Sequence, residues 1–174
     1  MHMESKNVLL YDEPSSLSVH TISREDINFL RIWKNRHRNS FIFKAFITPT
    51  MQSAWFESYR KREHDFMMVI EKDGKKIGCL GFRRLADRVD VYNVILGEKH
   101  YSKKGHMAKA LLLICAEARR RYASLPIMVS VLKSNRYVKW YARRGFVVGK
   151  EHDDYYEMCL AISPSGTGRS GAEE

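Results

Sequence analysis

One α/β (α+β) domain is what the sequence predicts, and three observations predict it. Short apolar runs of strand length alternate with stretches of helical period. The middle of the chain carries a tight hairpin signal, and a later apolar run passes through a basic turn into a long amphipathic helix. A chain of 174 residues suffices for one domain with a substantial core. Apolar residues at 44% and charged residues at 29% exclude a disordered or fibrous chain. No apolar run approaches the roughly 18–20 residues that span a bilayer, and no charged-then-apolar leader opens the sequence. The three cysteines, Cys79, Cys115 and Cys159, lie inside apolar segments, as buried thiols of a reducing compartment do, so a cytoplasmic location is expected.

Met1-His2-Met3 reads as a cloning remnant, within an N-terminal extension over residues 1–16. A first strand is expected near residues 16–21. Ser23-Arg24-Glu25-Asp26 then supplies a helix cap with acids in the first turn. The helix that follows carries Ile27, Leu30 and Lys34 on one line and Phe29 and Trp33 on another. Thr48-Pro49 marks a second helix start, an N-cap followed by proline at the first helical position, and Trp55 and Tyr59 share a face four residues apart. Residues 66–70 (FMMVI) and 76–82 (KIGCLGF) form a hairpin turning at Lys72-Asp73-Gly74. Val89–Leu96 (VDVYNVIL) is a further strand, residues 127–131 a buried one, and residues 155–162 the last. The polar, glycine-rich tail over residues 163–174 is expected to be disordered.

Two segments carry the chemistry. In the first, residues 101–113 (YSKKGHMAKALLL), Gly105 opens a helix directly after a strand and a basic turn. Glycine there lets a ligand come close to backbone, and the first amides of a helix lack intrahelical partners. Those amides, the positive end of the helix dipole, and Lys103, Lys104 and His106 together suit a phosphate. The second segment, residues 133–146 (KSNRYVKWYARRGF), reads as a short helix stopped by Gly145, with Phe146 beginning another strand.

Together the two segments resemble the GNAT superfamily of acetyl-CoA-dependent acyltransferases. That family's pyrophosphate loop, Q/R-x-x-G-x-G/A, aligns with Ser102, Lys103, Lys104, Gly105, His106 and Met107. Its later motif, roughly N-x-x-(S/A)-I-x-x-Y-x-x-x-G-F, aligns with Ser134 through Phe146 and sets Tyr141 at the tyrosine position. The first half, with LRIWKN at residues 30–35, Ile47-Thr48 and Gln52 to Phe56, is similar to the branch holding ribosomal-protein N-terminal and nucleotide-sugar amine acetyltransferases. The resemblance implies a GNAT-like domain over residues 17–162: a central mixed, mostly antiparallel twisted sheet with a splayed parallel pair and flanking helices. It implies acetyl-CoA as cosubstrate and a primary amine as acceptor, without a metal. It also assigns residues. Val94, Ile95 and Leu96 would hold the pantetheine arm, the amides of Lys104 to Ala108 the pyrophosphate, and Ser134 or Asn135 a pantetheine amide. Trp33, Arg38 and Trp55 would line the acceptor side.

Acetyl transfer to an amine needs a neutral nucleophile, a polarised thioester carbonyl and a proton for the departing thiolate. Tyr141 is the expected general acid, since a phenol with a reference pKa of about 10 is protonated at neutral pH. The base stays open. Many family members place a glutamate on the strand where this chain has Val91 beside Asp90. Strand alternation sends Asp90 and Tyr92 to one face and Val91 and Asn93 to the other, so Asp90 would need a local bulge to serve. His106, His152, Asp154 and a water chain are the alternatives, while Cys159 reads as a small buried hydrophobe rather than a nucleophile.

The formal charge of +10 fits a basic rim for coenzyme A phosphates and an anionic, small or nucleotide-linked acceptor, though a protein N-terminus in a nucleic-acid-rich setting fits too. Direct nucleic-acid binding is not expected, and pairing of last strands between two copies is compatible with such a fold. A second reading comes from departures: Ser102 stands for Gln or Arg, Met107 for a small residue, and the strand glutamate is missing. It is a catalytically weakened GNAT-like module contacting RNA or protein through its basic surface.

Overall fold

The computed structural model describes residues 6–161, so the cloning remnant and the tail lie outside the described residues. Eight strands form one sheet in the order β1-β2-β3-β4-β5-β6-β8-β7. They are β1 (Leu9–Asp12), β2 (Leu17–Thr21), β3 (Asp65–Lys72), β4 (Lys75–Arg84), β5 (Val89–Leu96), β6 (Ile127–Leu132), β7 (Phe146–Glu151) and β8 (Tyr155–Leu160). Every pairing is antiparallel except β5 with β6. Helices α1 (Ile27–Arg36) and α2 (Pro49–Arg60) precede β3, α3 (His106–Arg121) joins β5 to β6, and α4 (Val138–Ala142) joins β6 to β7.

Strand alternation divides the core in two. Met68, Ile70 and Leu80 face the α3 side with Leu111 and Ile114, whereas Met67, Val69 and Cys79 face α1 and α2 with Leu30, Trp33 and Phe56. Because helices cover both faces, six consecutive residues of β3 are buried, a run without polar alternation. The local signals are made as expected. Thr48 Oγ1 accepts from the Met51 amide at 3.2 Å, with Pro49 behind it. Ser23 and Asp26 close a capping box, and the buried Asp26 carboxylate receives Lys76 at 2.5 Å, tying the α1 start to β4. Asp73 and Gly74, with φ of 50° and 72°, form the two-residue turn between the paired Lys72 and Lys75.

One strand comes earlier than the sequence suggests. β1 lies within the segment read as an extension and pairs with β2 from Leu9↔His20 to Asp12↔Leu17. It is a four-residue edge strand that alternates in exposure, with Leu9 70% exposed and Leu10 packed against the core; apolar residues stand on both of its faces, so the sequence shows no apolar–polar alternation.

Candidate active site

β5 and β6 are in register only from Val89↔Ile127 to Val91↔Val129. Beyond that point β5 continues against β4 and β6 against β8, with Ile95 opposite Cys79 and Leu132 opposite Tyr155. The parallel pair thus opens into a cleft, each wall held by an antiparallel neighbour. A bulge accompanies the opening. Gly81 pairs with Tyr92 and Cys79 with Ile95, so Leu80 alone stands against Asn93 and Val94. Asn93 takes φ of 49°, a left-handed conformation that asparagine tolerates better than most residues. Such a bulge bends its strand and raises its twist, which turns β5 away from β6. It also reverses the expected alternation: Asn93 faces α1, where its Oδ1 accepts from Lys34 Nζ at 2.5 Å.

At the cleft's open end the chain leaves β5, makes a short 3-10 turn over Lys99–Tyr101, and enters α3. Gly105 sits at the N-cap with φ of 81° and gives no side-chain cap, so the first amides of α3 have no side-chain partner. A Cβ built on Gly105 meets nothing within 4 Å, and Ser102, Lys103 and Lys104 around it are exposed. His106, half-buried, has its pKa lowered by partial burial and by Lys72 and Lys104. Met107 leans onto the sheet, where its sulfur would lie 3.3 Å from a Cβ at Gly78. The missing side chain of Gly78 makes room first for the Ile95 carbonyl, 2.4 Å from such a Cβ, and then for Met107; Ala108 follows, half-buried, on the first turn. Val94 and Leu96 are half-buried and Ile95 is buried under α1 and α2.

Tyr141 comes from α4 and is 7% exposed, packed between Trp140 and Phe146 in the α3-side core. Burial, with smaller contributions from Cys115 and Tyr137, raises its pKa well above the ordinary phenol value. Asn135 ties the loop before α4 together: its Oδ1 accepts from the Tyr137 amide at 3.0 Å and its Nδ2 donates to Ser40 O at 3.4 Å. Ser134 beside it is exposed and lines a cavity of about 770 Å³. The remaining walls are Ile42 and Lys44 from the α1–α2 connection, Leu132 and Lys133 at the end of β6, and the β7–β8 turn from Glu151 to Tyr155. Lys133 and Glu151 pair at 2.5 Å, while Asp153 and Asp154 are exposed.

The three residues expected on the acceptor side are not brought to this cavity. Trp33 is 1% exposed, rests directly on Gly97 and donates its indole N–H to Glu98 at 3.1 Å, which makes it a core residue. Trp55 stacks on Tyr59 with ring centroids 5.1 Å apart. Arg38 is exposed in the turn after α1. Of the candidate bases, Asp90 is paired with Arg83 at 2.8 Å, whereas His152 and Asp154 lie on the cavity wall. Cys159 is half-buried, and burial pushes the Cys79 and Cys115 thiols up to about 12. The reading of the sequence missed the Asn93 bulge, for which an asparagine inside the apolar run of β5 was the available signal, and of the β7–β8 turn it singled out His152 and Asp154 alone.

The sequence matches the profile of the acetyltransferase (GNAT) family over residues 29–146. No curated protein sequence matches it significantly. Among solved structures, the fold is similar to that of apo FdhC, described as a nucleotide-linked sugar GNAT, with a TM-score of 0.74, 18% identity, and 88% and 89% of the two chains covered. It is also similar to spermidine N-acetyltransferase from Vibrio cholerae in complex with CoA and spermine (TM-score 0.67, 18% identity, 83% of this chain and 95% of that one). A third is the PaiA N-acetyltransferase from Thermoplasma acidophilum in complex with coenzyme A (TM-score 0.61, 15% identity, 84% and 99% covered).

Proposed function

The chain belongs to the GNAT family of acetyltransferases, and from that we propose that it moves an acetyl group from acetyl-CoA directly to a primary amine. One observation carries the reading: β5 and β6 part after Val91 and Val129, directly ahead of an uncapped α3 N-terminus that has open space at Gly105. The cleft would take the pantetheine arm along Val94, Ile95 and Leu96, with Ser134 or Asn135 across from it. The amides from Lys104 to Ala108 would hold the pyrophosphate, with Ser102, Lys103 and His106 at its rim. Fixing donor and acceptor in one cleft lowers the entropic cost of their encounter.

Tyr141 would act as the general acid. Burial keeps the phenol protonated across the neutral range, and its hydroxyl has no hydrogen-bond partner among the described residues. A thiolate formed in the same dry surroundings is raised by the same effect, as Cys115 at about 12 illustrates, so the two groups are closer in basicity than in water. The amine nitrogen bonds to the carbonyl carbon, the C–S bond breaks, and Tyr141 protonates the sulfur.

For the acceptor, the mixed charge of the cavity supports a small amine that also bears an anionic group, such as a nucleotide-linked aminosugar. Asp153 and Asp154 suit an ammonium and Lys44 suits a phosphate or carboxylate, while Lys133 and Glu151 answer each other across the wall. An acceptor panel scored by thiol release tests this. Nucleotide-linked and small zwitterionic amines are expected to be acetylated; acetylation of free peptide N-termini alone would move the acceptor to proteins. Failure of every amine, with acetyl-CoA unbound, would leave only a binding module.

A further inference from the structure

We propose that Lys34 is the general base of this transfer, taking the proton from the acceptor's ammonium group; the proposal rests on the acetyltransferase reading above. Position argues first. Lys34 lies in the last turn of α1 and reaches Asn93 Oδ1 at 2.5 Å. Asn93 is the bulge residue and immediately precedes Val94, the start of the segment assigned to the pantetheine arm. Lys34 does not itself line the acceptor cavity, but it stands beside the proposed donor segment, and the Phe41 ring beneath its ammonium adjoins Ile42 on the cavity wall.

Its surroundings argue second. The ammonium also sits over the Phe41 ring, 3.2 Å from the centroid, and forms no ion pair with a carboxylate among the described residues. An amide oxygen and an aromatic face do not fix the charge as a carboxylate would. Burial accordingly lowers the ammonium to about 8, which leaves about a tenth of it neutral at pH 7 and more as pH rises. Facing groups do not restore it. The charged and titratable side chains on the elements packed against α1 include Arg24, Glu25 and Asp26 just ahead of it, Glu57, Tyr59 and Arg60 on α2, Lys76 and Cys79 on β4, Asp90 and Tyr92 on β5, and Glu98 beyond β5, with Asp26 taken up by Lys76. Asp90 is held by Arg83, Glu98 by Trp33 and Glu57 by Arg24, and Cys79 is the group that acts on Lys34. On its own helix, Arg36 donates to Gly97 O at 2.7 Å, and Arg31 and His37 complete the charged set. Access argues third, since Lys34, Asn93 and Phe41 are all only partly buried.

The proton balance closes. Neutral Lys34 takes one proton from R–NH₃⁺, and the freed amine forms the C–N bond. The C–S bond breaks, Tyr141 protonates the thiolate, and the remaining surplus N–H proton of the adduct returns to Tyr141. Lys34 releases its proton to solvent. Ammonium and thioester become amide, thiol and one proton.

The test is the pH dependence of kcat and of acceptor KM for the parent protein, Lys34→Met and Lys34→Arg, with acetyl-CoA affinity and thermal unfolding as checks on folding. Arginine keeps charge and bulk but cannot give up its proton in the working range. Both variants are expected to lose about 100-fold or more in kcat with acceptor KM within about 3-fold. The parent's acidic limb near pH 8 should be replaced by one that follows the acceptor's own pKa. Near-parental kcat and an unchanged profile in Lys34→Arg overturn the proposal, as does a raised acceptor KM with kcat intact, which is the signature of an anion anchor. If the parent protein acetylates no amine and binds no acetyl-CoA, the acetyltransferase reading itself falls, and the base with it.

Discussion

Tyr141 is almost wholly enclosed, so replacing it by phenylalanine removes one hydroxyl and nearly none of the packing against Trp140 and Phe146. Turnover of Tyr141→Phe is expected to fall by roughly 10- to 1000-fold, with acetyl-CoA affinity changed no more than a few-fold, as loss of a general acid requires. Steady-state kinetics beside a calorimetric titration check this; unchanged turnover removes Tyr141 from the role. Single residues are also where the sequence was least transparent. Gly105 and Tyr141 could be picked out because a glycine at a helix start and a tyrosine four residues before Gly145 are local patterns. Trp33 could not be placed, because an aromatic on an amphipathic helix packs inward or lines a pocket with the same periodicity. Gly97, against which its indole rests, decides the matter, and that contact joins residues far apart in the chain.

At the scale of elements, α1 is fixed to the sheet at both ends. Its start is held by the buried Asp26–Lys76 pair and its last turn by Trp33 on Gly97. A methyl group at Gly97 would lie 2.1 Å from the indole, so Gly97→Ala is expected to cost about 1–3 kcal/mol by overpacking, read from denaturant unfolding. It would also shift the neighbouring Lys34 from Asn93, so turnover should fall more than acetyl-CoA affinity. Asp26 gives a pH signature. Burial alone would raise its pKa, but the Lys76 ammonium and the Ser23 amide and hydroxyl more than offset this and hold it below the ordinary value of 3.8. A carboxyl lowered on folding contributes stability above its unfolded pKa and loses it as pH falls through the folded value. Asp26→Asn is therefore expected to cost about 2–3 kcal/mol near neutral pH, the difference shrinking below about pH 4. A difference that stayed constant from neutral to strongly acidic pH would show that the ion pair is not its source. The hairpin, both early helices and α3 were legible in the sequence because each carries its own caps and turn residues. β1 and the β5 bulge were not: one is a four-residue edge strand with apolar residues on both faces, and the other depends on pairing with β4.

Over the whole molecule, the sequence patterns reached the fold because the motifs sit on the elements that build the cleft, β5, α3, β6 and α4. The acceptor side stayed out of reach because it is made from connections. The α1–α2 loop presents Ile42, Phe43 and Phe46, each 58% exposed, and the β7–β8 turn presents carboxylates. Their meeting around one cavity depends on the sheet order rather than on any local pattern. It also qualifies the expectation of a basic acceptor side drawn from the net charge of +10, since the cavity mixes both signs. What joins these parts into one account is the place of the donor: pantetheine between the parted strands, diphosphate on the first amides of α3. A crystal structure with coenzyme A bound tests this most directly. The account expects the diphosphate against the amides following Lys104, the pantetheine arm along Val94 to Leu96, and the sulfur beside the Tyr141 hydroxyl. Coenzyme A bound elsewhere, with the β5–β6 cleft empty, would contradict it.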